Sequence, residues 1–182
     1  MLKLKGYQER TLESLRLYFS LCRSENEDAD SAFYKATETT VGKRNHYTQV
    51  KELPGLPYVC VRIPTGGGKT LVASHAVGIT ARDLLHVDEA VVLWLVPSNT
   101  IREQTLRALR DREHPYRQAL EREAGRVEVL DVAEGLAAPR ARYESTTVVI
   151  VATMQAFRVQ DTEGRKVYEE SGALMSHFSS LP

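Results

Sequence analysis

"RIPTGGGKT", Arg62 to Thr70, places three consecutive glycines directly before a lysine and a threonine. Glycine loses more backbone freedom on folding than any other residue, so a triplet is costly unless the backbone needs a shape that a side chain would forbid. A loop wrapped around a phosphate chain has such a shape. The flanks agree with it. "YVCVRI", residues 58–63, is a short β-branched run that reads as a strand entering the loop. "KTLVASHAVGITARDLL", residues 69–85, sets Leu71, Val72, Ala76 and Ile79 on one side and reads as a helix leaving it.

Strand, glycine loop and helix are the parts of a P-loop, whose pattern is Gly, four residues, then Gly-Lys-Ser/Thr. Gly68, Lys69 and Thr70 match its end, while Ile63 stands where the first glycine is expected. The backbone amides of Thr65, Gly66, Gly67, Gly68 and Lys69 would form an anion nest, reinforced by the helix N-terminus. Lys69, the candidate catalytic residue, would reach the β- and γ-phosphates. The Thr70 hydroxyl would hold Mg2+, a hard ion that prefers oxygen. The plain alternative is a glycine-rich turn carrying a solvated lysine.

Farther along, "AVVLWLV" (90–96) is apolar at every position, as suits a strand covered on both faces. Pro97 stops it, and Ser98 can cap a helix through "TIREQTLRALRDRE". "RVEVLDV" (126–132) alternates, and "TTVVIVA" (146–152) is again apolar throughout. Strands alternating with helices imply βαβ units, an α/β class and a mostly parallel sheet. At the front, "GYQERTLESLRLYFSLC" repeats Tyr7, Leu12, Leu15, Tyr18 and Leu21 at helical spacing. Arg23 to Pro57 is polar and closes with Pro54, Gly55 and Pro57. It reads as a surface insertion with a short helix around Ala29–Ala36. Composition thus divides the chain into 1–22, 23–57 and 58–182.

Bulk properties narrow the partners. Lys plus Arg number 24 and Asp plus Glu number 24, so attraction of the whole molecule to nucleic acid or an anionic membrane is not indicated. Any nucleic-acid contact must be a local groove. Cys22 and Cys60 have no paired spacing, which argues against a zinc site or a disulfide framework and fits a reduced, cytoplasmic setting. No run approaches ~18 apolar residues, so no membrane span is expected.

"PTGGGKT" resembles the first motif of the superfamily-two DEAD/DEAH-box helicases, whose opening position is usually not glycine. Two other stretches carry the same resemblance. "VPSNTIREQ" resembles motif Ia, and "VATMQAF" resembles the later nucleic-acid-contacting motif. Both follow apolar strands. In an open parallel sheet ligands bind beyond the carboxyl ends of the strands, so loop, "PSNT" and "TMQ" are expected on one rim. The resemblance implies that Ser98, Asn99, Thr100, Thr153 and Gln155 grip a nucleic-acid backbone without reading sequence. Ordinary helix capping would ask for Ser98 as well. "GYQ" resembles the adenine-selecting element, which implies that Gln8 pairs with adenine. A glutamine on the polar side of an amphipathic helix is the bland reading.

The overall texture is closest to the motor (Res) subunits of type III restriction enzymes, from Tyr7 to about Phe157. That resemblance implies a RecA-like P-loop NTPase sandwich and hydrolysis of ATP with Mg2+. It also implies translocation on nucleic acid, DNA favoured over RNA. The implied partners are a second RecA-like domain and a methyltransferase or specificity subunit, with no membrane.

Asp88 and Glu89 look like the start of a DEAD/DEAH box, but they precede their strand. They would lie at the rim away from the phosphate and are read as a solvated turn. Asp131 ends a strand yet lacks a following glutamate. No apolar strand ending in Asp-Glu follows "VATMQAFR", so the chain is expected to be an N-terminal part cut before motif II and inactive by itself. Two rivals stand beside the motor. One is a complete P-loop kinase, with Arg110, Arg112 and Arg117 as lid arginines. The other is a nucleotide-binding module without chemistry.

Overall fold

The computed structural model describes residues 3–24 and 28–157. The weakly amphipathic "KVYEESGALMSHF", residues 166–178, lies outside them. The described chain forms two compact units. One comprises the residues up to Asp88 together with Gln118–Ala124. The other comprises Glu89–Arg117 and the described residues from Gly125 onward.

In the first unit, helix α1 (Gly6–Cys22) buries Gln8, Leu12, Leu15, Tyr18 and Phe19. Helix α2 (Ala29–Val41) is capped by Asp28, whose carboxylate accepts from the Ser31 amide at 2.7 Å. It ends at Gly42, where φ is +71°. Ala29, Ala32 and Ala36 form its buried stripe at three-to-four spacing and join the α1 core. Tyr18 meets the Phe33 ring edge-on at 5.7 Å, and Phe33 meets Tyr47 at 5.3 Å. The segment expected to lie on the surface therefore supplies part of the core. Its polar composition conceals a narrow alanine stripe that pairs with aromatic rings.

Residues 58–63 correct a second expectation, because they form no strand. A strand needs a ladder partner, and the Tyr58 amide instead donates to the Tyr47 hydroxyl at 3.1 Å. Val59 and Ile63 pack against the α1 core, while Tyr58 and Val61 are exposed. Cavities of about 240 and 380 Å³ both have Val59 and Val61 in their walls. Helix α3 (Lys69–Ile79) follows the glycine loop, buries Leu71, Val72 and Ile79, and continues as a π-helical turn over Thr80–Leu85.

The second unit holds the sheet. Strand β1 (Val91–Val96) is followed by helix α4 (Asn99–Arg110), and helix α5 (Pro115–Ala124) precedes strand β2 (Val127–Asp131). Short helices α6 (Val132–Ala137) and α7 (Arg140–Tyr143) lead to strand β3 (Thr147–Thr153) and a 3-10 turn (Met154–Phe157). The strands are parallel in the order β1-β3-β2. This is the α/β class with a parallel sheet expected from the alternation of strands and helices, and it is consistent with the RecA-like sandwich that the resemblance implies.

All seven residues of the central strand β3 are buried. Full burial of Val148, Val149, Ile150 and Val151 stabilises the unit by about 1.5–3 kcal/mol per side chain. Among the described residues β1 is an edge strand, with Leu93 and Leu95 each 43% exposed, and the expectation of two covered faces fails for it there. An apolar run reports burial potential and not rank in the sheet. Among the described residues no helix is long and apolar enough to cross a membrane.

Candidate functional site

The glycines of the triplet answer two needs. Gly66 and Gly68 take φ of +74° and +83°, a region that L side chains resist. Gly67 has no room: a Cβ there would stand 2.4 Å from Ile63 Cγ2 and 2.9 Å from the Pro64 carbonyl oxygen. The Gly67 amide closes a turn onto that same carbonyl at 2.9 Å. Gly68 is the N-cap of α3, so the loop runs straight into the amide-rich end of a helix of eleven residues. Lys69 is exposed, and its ammonium donates back to the carbonyls of Ile63 (3.1 Å) and Pro64 (3.3 Å). Thr65 and Gly66 are exposed, and Thr70 is half-buried in the first turn.

Successive amides, a helix N-terminus, one ammonium and two hydroxyls lie within the six residues from Thr65 to Thr70. Gln8 lies against this loop. Its Nε2 donates to the Gly67 carbonyl at 2.9 Å, and its Oε1 accepts from the Lys5 amide at 2.8 Å. With only 4% of the residue exposed, both polar ends of Gln8 are engaged inside the protein. The Tyr7 hydroxyl donates to the same Gly67 carbonyl at 2.7 Å. Nothing in the sequence signalled that bond, since a tyrosine in the first helical turn has many bland uses.

An ion-pair cluster steadies α3 behind the loop. Glu123 accepts from Arg16 (2.8 Å) and Arg82 (3.1 Å) and faces His75 Nδ1 at 3.3 Å; Arg16 also reaches Asp83 at 3.4 Å. Burial pushes the Glu123 carboxyl up, but the hydrogen bonds from Arg16 and Arg82 outweigh it and hold the pKa below the ordinary value. Sequence reading passed over these residues, because they are far apart in the chain and carry no motif.

In the second unit, β1 and β3 end side by side, with Val96 opposite Thr153. Ser98, Asn99 and Thr100 are exposed just beyond β1, and Gln155 is exposed just beyond β3. Thr153 itself is 6% exposed. The Ser98 side chain caps α4 by accepting from the Ile101 amide at 3.4 Å.

A family model described as type III restriction enzyme, res subunit, matches residues 1–175. The chain belongs to this family. Comparison with curated proteins and with solved structures gives no match. The type III restriction res-subunit family is one of helicase-like, ATP-dependent motor domains, so the broad activity class follows from membership.

The other acids and arginines find different work. Asp88 and Glu89 are exposed ahead of β1, as their position before the strand predicts. Asp131 caps α6: its carboxylate accepts from the Glu134 amide at 2.9 Å, and Glu134 returns a bond from the Asp131 amide at 2.7 Å. Arg117 is 7% exposed and donates to the carbonyls of Leu109 (3.2 Å) and Val127 (2.6 Å). Arg110 donates to the Val129 carbonyl at 3.0 Å and to Glu134. Two of the three arginines offered for a kinase lid are thus committed to holding helix against sheet.

Proposed function

We propose that this chain is the nucleotide-binding side of an ATP-dependent DNA translocase of the type III restriction class. The glycine loop from Thr65 to Lys69 would cradle the phosphates of ATP, with Lys69 on the β- and γ-phosphates. Thr70 would hold Mg2+, which supplies neutralisation of phosphate charge. Gln8 would select adenine after giving up its Lys5 and Gly67 partners. Ser98, Asn99, Thr100, Thr153 and Gln155 would meet the DNA backbone, Thr153 through its position at the strand end. A second RecA-like domain would complete the motor, and a methyltransferase or specificity subunit would direct it in the cytoplasm.

The observation that carries this reading is the triplet: two residues need positive φ and the third has no space for a Cβ. Hydrolysis also needs a carboxylate on the metal side. Asp131, the strand-end acid among the described residues, is spent as a helix cap. Residues 1–182 are expected to bind Mg·ATP. Titration with a fluorescent ATP analogue tests the reading. Saturable, Mg2+-dependent binding that drops at least tenfold in Lys69→Ala supports it. Equal binding by both proteins contradicts it.

A further inference from the structure

The inference rests on the phosphate-loop reading and concerns what holds the loop in shape. The Gly67 carbonyl accepts two side-chain hydrogen bonds, from the Tyr7 hydroxyl at 2.7 Å and from Gln8 Nε2 at 2.9 Å. The donors are neighbours in the first turn of α1, far from the loop in sequence.

A trans peptide is planar, and its C=O and N–H point in opposite directions. Drawing the Gly67 carbonyl toward α1 therefore turns the Gly68 amide the other way, to the side of the loop facing away from that helix. Gly68 sits at φ +83°, and glycine tolerates either sense of rotation, so local sterics do not choose this orientation. The two donors on α1 choose it. They are not equivalent. Gln8 also has Oε1 tied to the Lys5 amide, and an adenine-pairing role would draw its side chain away from the loop. The Tyr7 hydroxyl has no such second duty.

We propose that Tyr7 is a positioning residue for phosphate binding: its hydroxyl locks the Gly67–Gly68 peptide plane so that the Gly68 amide faces the phosphate chain. The lock persists when Gln8 is drawn to a base. Tyr7 thereby acts through the loop and not on the base.

Tyr7→Phe deletes the hydroxyl and keeps the ring. Inorganic tripolyphosphate, Mg·ATP and Mg·GTP are titrated against the wild type and the variant. The expected result is a loss of roughly tenfold for all three, the size of one net hydrogen bond, with the ATP-to-GTP preference unchanged. Tripolyphosphate binding equal to wild type overturns the lock. So does a loss confined to ATP, which would assign Tyr7 to the base. A wild type that binds neither tripolyphosphate nor Mg·ATP overturns the phosphate reading itself, and the lock with it. If Tyr7→Phe lowers the thermal midpoint strongly, the Gly68 amide resonance read well below that midpoint decides. Exchange broadening or a second position supports the lock, and one unchanged position overturns it.

Discussion

Gly66 and Gly67 are glycines for different physical reasons, and alanine separates them. At Gly66 a Cβ would meet nothing within 4 Å, so Gly66→Ala carries only the cost of a positive φ, about 1–2 kcal/mol. At Gly67 the same methyl collides with Ile63 Cγ2 and the Pro64 carbonyl, so the turn itself must move. Gly67→Ala is expected to lower nucleotide affinity more than tenfold and by more than Gly66→Ala does. Parallel nucleotide titrations check the order, and an inverted order would mean that the turn at Pro64 is not part of the site. The triplet was readable in the sequence because its cost demands a reason. Gln8 was readable only through the resemblance of "GYQ" to an adenine-selecting element, and the bonds that Tyr7 and Gln8 make to the loop were not readable. Their shared acceptor is a main-chain carbonyl about sixty residues away, and no side-chain pattern records that.

At the scale of elements, helix positions were legible wherever a cap or a periodic stripe marked them, as at Ser98 and along α3. The strand at 58–63 was misread because β-branched composition states a preference, whereas a strand also needs a neighbour. Tyr58 gives its amide to a side chain instead. The alanine stripe of α2 was missed because alanine scarcely registers against the polar residues around it.

Two further outcomes belong to this scale. Arg117 satisfies the carbonyls of Leu109 and Val127, so Arg117→Leu leaves buried acceptors unpaired and should cost about 2–4 kcal/mol in denaturant unfolding. A cost within ~0.5 kcal/mol, the range of an ordinary surface change, would show that the guanidinium is not needed there. Glu123 has a folded pKa below its ordinary value. Its contribution is therefore present above the unfolded carboxyl pKa, about 4.3, and is lost as pH falls through the lower folded value. Glu123→Gln should lose about 1–3 kcal/mol at pH 7 and show a weaker loss of stability on acidification. Parallel pH profiles for wild type and variant would contradict the cluster's role.

For the whole molecule, zero formal charge sets the terms of the proposed contact with DNA. The groups offered at the ends of β1 and β3 are hydroxyls and amides, which release few counterions. Single-stranded DNA affinity should therefore fall only gently with salt, with a log–log slope shallower than about −3. Joint replacement of Ser98, Asn99 and Thr100 by alanine should weaken binding equally across sequences. A steep slope in fluorescence anisotropy would point to a cationic surface elsewhere. The class of fold was legible because strands and helices alternate in a fixed order, and the family through the resemblance carried by "PTGGGKT", "VPSNTIREQ" and "VATMQAF". The grouping of residues into two compact units was not, since part of α5 is counted with the first unit after the chain has entered the second.

The most direct test of the account is the amide spectrum of the ¹⁵N-labelled chain during titration with Mg·ADP. The account predicts the largest shifts at Gly66, Gly67, Gly68, Lys69 and Thr70, abolished by Lys69→Ala. Shifts centred elsewhere, or none at millimolar nucleotide, would contradict it.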